Sequence, residues 1–303
     1  MLHVTNGTSV SLRESGLAGE VLAWIDVLHE GPVPAGLGPE KLRHVRGLFL
    51  GAEYDLAHRD AALDEFARHE EVALWFEHDL FDQLQLIQIL DRLRPRAGGA
   101  TRLSLICIDQ YLGRLTGPQL AAYWPVRHTV TPEEFVLASA AWLAFRSPDP
   151  MDIEGMLRRG TSRLPFLDGA LPFLDGALRR HLQQFPSVEN GLARTERQIL
   201  ELVSQGKRRF PALFKADQEL EERIFMGDLH FERYLRGLSG CHRPLLEERH
   251  TQYHLTEAGR AVLDGRADHV HLNGINRWLG GVHLNGDEVL WRWDERARRL
   301  ERH

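Results

Sequence analysis

Glu71-Val-Ala-Leu-Trp-Phe-Glu-His-Asp-Leu-Phe-Asp-Gln83 places His78, Asp79 and Asp82 at the junction of an apolar run and a helical pattern. Imidazole nitrogen and carboxylate oxygen together suit a divalent cation such as zinc, iron or manganese, and imidazole can also act as a general base near neutral pH. His78, Asp79 and Asp82 are therefore candidate metal ligands, and His29, His78 and Asp79 are candidate catalytic groups. Three other stretches offer polar side chains of the same kind. They contribute Asn6, Gly7, Thr8 and Ser9 after Leu2–Thr5, Asp26 and Glu30 after Glu20–Ile25, and Asp109 after Arg102–Ile108. These seven are candidate substrate-binding residues.

The elements that must position these groups follow from periodicity. Val72–Phe76 has the length and apolar content of a buried parallel strand, and Leu80, Leu84 and Ile87 recur at helical spacing. Pro39 starts a helix to about Leu50, and a second is expected over Glu53–His69 with Leu56, Leu63 and Phe66 on one face. Further helices are expected at 79–93, 117–123 and 132–146, the last opened by the capping sequence Thr131-Pro-Glu-Glu134. Strands alternating with helices predict parallel βαβ units, hence a Rossmann-like α/β domain over residues 1–147. Ligands of such sheets bind where strand carboxyl ends meet helix N-termini. One pocket holding Asn6, Asp26, His29, His78, Asp79 and Asp109 is the expectation.

Asn6-Gly7-Thr8-Ser9 predicts a tight turn into a helix ending near Gly16, with Thr8 or Ser9 as cap. It could cradle a phosphate, although it lacks both GxGxxG and the P-loop Gly-Lys-Ser/Thr. Structural roles compete with chemical ones here. Asp79 is a natural N-cap, Asp82 complements the helix dipole, and His29 can bond its own Pro-rich loop. The expected function is hydrolysis or group transfer on a small phosphate-containing or nucleotide-like substrate, assisted by a divalent metal.

Residues 148–189 read as a helical connector starting at Ser147-Pro-Asp-Pro150. It contains Leu164-Pro-Phe-Leu-Asp-Gly-Ala170 repeated at once as Leu171–Ala177, too few copies for a solenoid. From 190 to 303 the pattern changes to a mainly α, winged-helix-like domain. Helices are expected at 198–204 (capped by Thr195), 210–218 and 229–238, then strands at 244–247 and 252–255 and a helix at 256–263. A terminal β-hairpin is predicted from 277–284 and 288–293 around Asn285-Gly286. This supports a rival function, a DNA-binding transcriptional regulator with a ligand-sensing α/β domain. Lys207, Arg208 and Arg209 would touch phosphates of duplex DNA, with Arg233 and Arg236 facing the groove. Asp228 and Glu232 on the same helix, and near charge balance from Arg194 to Asp268, oppose it.

A formal charge of -6 argues against a generally basic surface. Cys107 and Cys241 cannot build a disulfide framework or a Cys-based zinc site. No basic segment precedes an apolar one at the N-terminus, and Phe135–Phe145 is too short to span a bilayer. A cytoplasmic location with no membrane partner is expected.

Five phrases carry a resemblance. They are His3-Val-Thr-Asn-Gly7, Val27-Leu-His-Glu-Gly-Pro-Val-Pro34, Leu74-Trp-Phe-Glu-His-Asp-Leu-Phe-Asp-Gln-Leu84, Asn190-Gly-Leu-Ala-Arg-Thr-Glu-Arg197 and Arg277-Trp-Leu-Gly-Gly-Val-His-Leu284. Together they resemble a bacterial family known as domain of unknown function 1835, across nearly the whole chain. The resemblance implies kinship without a reaction. The chain departs from the family pattern at Thr8, where the family has Asp, and at Ile25, where it has Arg.

Overall fold

Residues 1–51, 54–96, 98–159 and 170–303 are described by a computed structural model. They form a mixed α/β structure with a mostly parallel five-stranded sheet and, among the described residues, twelve α-helices. Two units are distinguished: Met1–Leu178 with Gly280–Val282, and Arg179–Leu279 with His283–His303. The boundary falls between Leu178 and Arg179, inside the stretch 148–189 expected as a connector. The first copy of the tandem repeat lies almost wholly outside the described residues, and the second copy leads into a helix at Leu174–Leu182.

The first unit runs β1 (Leu2–Thr5), β2 (Glu20–Ala23), β3 (Gly31–Pro32), α1 (Pro39–Leu50), α2 (Leu56–Asp64), β4 (Glu71–Phe76), α3 (Leu80–Leu93), β5 (Arg102–Cys107), α4 (Gly117–Tyr123), β6 (His128–Thr129), α5 (Pro132–Arg146) and α6 (Met151–Arg159). The sheet order is β2-β1-β4-β5-β6. The first four strands are parallel, and β6 pairs antiparallel with β5. Every residue of β4 is buried, as its continuous apolar run requires. Ala73 and Trp75 pack with Val10, Leu12, Ile106, Leu112 and Leu120. Strand alternation turns Val72, Leu74 and Phe76 to the opposite, equally buried face. The chain leaves β1 toward β2 on one side and returns to β4 on the other. That reversal makes the carboxyl ends of β1 and β4 the place where adjacent connections diverge.

Most predicted elements form within a residue or two, and three departures have physical causes. No α-helix follows β1; only a single 3₁₀ turn, Leu12–Glu14, forms, and Ser11 before it makes no side-chain cap. Val10 and Leu12, two apart, both enter one core cluster, so this segment follows a period of two rather than a helical one. Thr8 and Ser9 stay exposed and cap nothing. The helix expected to His69 stops at Asp64, and Phe66–Arg68 tightens into a 3₁₀ turn. The hairpin expected around Asn285-Gly286 is also absent. Instead β9 (Ile275–Gly280) turns at Gly281 into β10 (Val282–Gly286), its sheet neighbour.

Gly280 and Gly281 are required where that turn lies. Gly280 has φ +60, and the Gly281 N–H donates to the Phe145 carbonyl at 3.0 Å. A Cβ at Gly281 would overlap the Arg146 carbonyl. Gly281→Ala is expected to destabilise the protein by about 2–4 kcal/mol, because a backbone carbonyl at a helix end cannot yield cheaply. An unchanged urea midpoint would refute this.

The second unit contains the end of the Leu174–Leu182 helix (α7), then α8 (Arg194–Ser204), α9 (Phe210–Leu220), α10 (Asp228–Gly240), β7 (Leu246–Arg249), β8 (Gln252–Leu255), α11 (Glu257–Leu263) and α12 (His269–Asn273). The antiparallel pair β11 (Trp291–Asp294) and β12 (Arg299–Arg302) ends it, so the run 288–293 finds its partner downstream. The N-cap of α8 is Ala193, not Thr195: Glu196 accepts the Ala193 N–H at 2.8 Å, and buried Thr195 accepts from Arg180 at 2.9 Å. Asn190 donates to the Val262 carbonyl at 3.1 Å and accepts the Leu192 N–H at 3.2 Å, and Arg277 pairs with Glu196. Among the described residues no helix is long and apolar enough to cross a membrane.

Candidate functional site

The acidic residues that follow β4 gather at the carboxyl ends of β1 and β4. Asp79 adopts extended backbone and its Oδ1 accepts the Asp82 N–H at 3.1 Å, the N-cap geometry that starts α3. Asp82, in the first turn, folds back so that Oδ1 accepts the Glu77 N–H at 2.7 Å. Asn6, just after β1, donates from Nδ2 to Asp82 Oδ2 at 2.8 Å and to Glu77 Oε1 at 3.1 Å. The Leu112 N–H, from the loop after β5, donates to the same Glu77 oxygen at 2.7 Å. Three strand ends thus supply one polar cluster. Glu77, Asp79 and Asp82 are buried, with one oxygen from each within 4.8 Å of the others.

Charge cannot be distributed freely here. Burial lifts the Asp82 carboxyl well above the usual carboxylate range, and the neighbouring charges of Asp79 and Glu77 lift it further. Burial also raises Glu77, against the opposing effect of donors from Leu112, Asn6 and Gly113 and the charge of Arg114. Three adjacent carboxyls with little water retain a proton unless a cation replaces it.

Asn6 bears on which of these applies. Its Nδ2 bridges two carboxyls, while its buried Oδ1 has no partner among the described residues. An amide turned over in place would point oxygen at the carboxyls, an arrangement favoured only with a cation between them. Asn6, Glu77, Asp79 and Asp82 together form an all-oxygen donor set. Such a set suits Mg²⁺, Mn²⁺ or Ca²⁺ better than zinc, which prefers nitrogen or sulfur.

The remaining sequence candidates fall in several places. His78 is not in the acidic group: Glu77 takes the position expected for it. The His78 ring lies 5.0 Å from the Tyr111 ring and 6.0 Å from that of Phe173. His29 is buried, its ring 6.1 Å from that of Phe81 in the first turn of α3. Asp26 is diverted from the acidic group. Its side chain pairs with Arg46 at 2.9 Å and Arg59 at 3.3 Å, all three being buried. Glu30 follows the same arginine, its carbonyl accepting from Arg46 Nη1 at 2.7 Å. The loop Val27–Pro32 is thus wrapped on a guanidinium. Gly7 is half-buried, and Asp109 is exposed beyond β5. The sequence reading missed Glu77, the Leu112 amide and Arg114, whose guanidinium sits 4.5 Å from the Tyr111 ring. Glu77 was legible as the first polar residue after a buried strand; Arg114 had no local signal.

In the second unit Lys207, Arg208 and Arg209 are exposed between α8 and α9, and the Arg208 carbonyl accepts the Tyr253 N–H at 2.8 Å. Arg233 is exposed on α10, and Arg236 pairs with Glu232 one turn away at 2.8 Å. No protein-family model matches the chain, and no curated protein matches it.

Proposed function

We propose that the first unit is a Rossmann-like domain carrying an enzyme site. It would hydrolyse, or transfer a group from, a small phosphate-containing or nucleotide-like substrate with help from a divalent cation. The observation that carries this is the meeting of Asn6, Glu77, Asp79 and Asp82 where the strand order reverses, the position at which open α/β sheets bind ligands. Glu77, Asp79 and Asp82 would hold the cation, with Asn6 orienting the carboxyls. A bound cation would neutralise phosphate charge and polarise the reacting oxygen. Arg114, whose charge acts on Glu77, would meet a phosphate oxygen, and His29 and His78 would serve as proton carriers. Turnover of p-nitrophenyl phosphate and of nucleoside phosphates with Mg²⁺ or Mn²⁺ tests this. Activity should disappear in Asp79→Asn. Absence of turnover across phosphate monoesters, diesters and nucleotides, with cation bound, would sink the enzyme reading.

Three helices followed by an antiparallel strand pair, α8-α9-α10-β7-β8, support the regulator as a second reading. The Arg236–Glu232 pair spends one of its expected groove contacts locally. Only weak duplex binding at physiological salt is therefore expected of the full chain. Tight binding that falls steeply with salt, and whose slope flattens when Lys207 and Arg208 are neutralised, would reverse the ranking.

A further inference from the structure

Away from the acidic cluster, and sharing no residue with it, the first unit contains a cleft of 410 Å³ lined by α1, α2, α3 and α5. That volume lies within the range of about 300–1,000 Å³ common for small-molecule sites. Five arginines and four aspartates line it, which leaves one positive charge uncompensated in a chain of net charge -6. Three of the arginines are fully engaged. Arg46 and Arg59 share Asp26, and Arg92 bonds Asp60 at 3.0 Å and Asp64 at 2.7 Å.

Arg43 and Arg146 are different. Arg43 is a third exposed, and its partner oxygen on Asp60 is 3.7 Å away, beyond hydrogen-bond distance. Arg146 donates to the Pro34 carbonyl at 2.7 Å and the Leu37 carbonyl at 2.7 Å, leaving Nη1 unused, and forms no ion pair with a carboxylate among the described residues. Burial works against its charge and lowers its pKa, and Asp91 offsets this only in part, from a distance and without bonding to it. Two guanidiniums with spare donors therefore face one cleft. Beside them lie apolar walls: Leu42, Pro95 and the indole of Trp142, 5.5 Å from the Arg146 guanidinium.

We infer that this cleft binds a small organic anion, its phosphate or carboxylate held by Arg43 and Arg146 and its apolar body laid against Trp142 and Leu42. Guanidinium forks match both anionic groups, and the buried Asp26–Arg46–Arg59 lattice keeps the floor rigid. The tight pairing of the other arginines explains why the anion should engage these two.

Calorimetric titration of the full chain in EDTA tests the inference with four probes: phenyl phosphate, benzoate, inorganic phosphate and benzyl alcohol. At least one aromatic anion should bind more tightly than either inorganic phosphate or benzyl alcohol, and added salt should weaken it. Arg43→Ala, which removes no hydrogen bond from the fold, and Arg146→Lys should each weaken that binding by about tenfold. Which of phenyl phosphate and benzoate binds identifies the anionic group. Asp82→Asn should leave the affinity unchanged, so this site and the acidic cluster stand or fall separately. Failure of both aromatic anions to bind, equal binding of benzyl alcohol, or wild-type affinity in both arginine variants would overturn it.

Discussion

Asp82→Asn should lower affinity for Mg²⁺ or Mn²⁺ by about 100-fold or more while the protein stays folded. Asp82 is the carboxyl through which the cluster is joined: it accepts from Glu77 and Asn6, and Asp79 caps its own N–H. Removing its charge leaves two carboxyls and one fewer anionic oxygen for a hard cation. The pH dependence follows from the direction of its shift. A carboxyl raised in the folded state favours folding fully below its unfolded pKa, and that contribution disappears as pH rises through the folded value. Cation-free protein should therefore lose stability as pH rises through that value. A cation should restore it, with affinity increasing by up to about tenfold per pH unit while one proton is displaced. In Asp82→Asn both effects should shrink together. Calorimetric titration and thermal unfolding across pH, with and without Mn²⁺, provide the measurements. A variant that binds Mn²⁺ as tightly as the wild type would remove the cation from the proposed site.

Asp26→Ala is expected to be the most damaging substitution for stability, at about 3–5 kcal/mol. The carboxylate is fully buried and bonds two buried guanidiniums, Arg46 and Arg59. Arg46 meanwhile holds the carbonyls of Val27 at 2.8 Å and Glu30 at 2.7 Å. Arg59 reaches Asp60 at 2.8 Å and lies 4.0 Å from the Trp24 ring. Deleting Asp26 leaves two buried guanidiniums without their shared carboxylate and loosens the loop built on Arg46. Urea unfolding of the variant measures the cost. A substrate-facing carboxylate would behave otherwise, its loss reducing activity while leaving the unfolding midpoint near that of the wild type.

Much of the scaffold was legible because it depends on local chemistry. The all-apolar run of β4 specified a doubly covered strand, Thr131-Pro-Glu-Glu134 specified a helix start, and Asp79 specified the cap of α3. Strand ends carrying Asn6 and the residues after Phe76 were also readable, since alternation of strand and helix places them at one sheet edge. Partner choice was not. Asp26 and Glu77 are both acidic residues that follow strands of the sheet, yet one meets two arginines 20 and 33 residues away and the other meets Asn6 and the Leu112 amide. Likewise, Gly280-Gly281 forms the turn in place of Asn285-Gly286 because the end of α5 lies against it and admits no side chain. Periodicity and caps are set by neighbours within a few residues. The neutralisation of a buried charge depends on which distant donors the folded chain brings within 3 Å, and only the tertiary structure decides that.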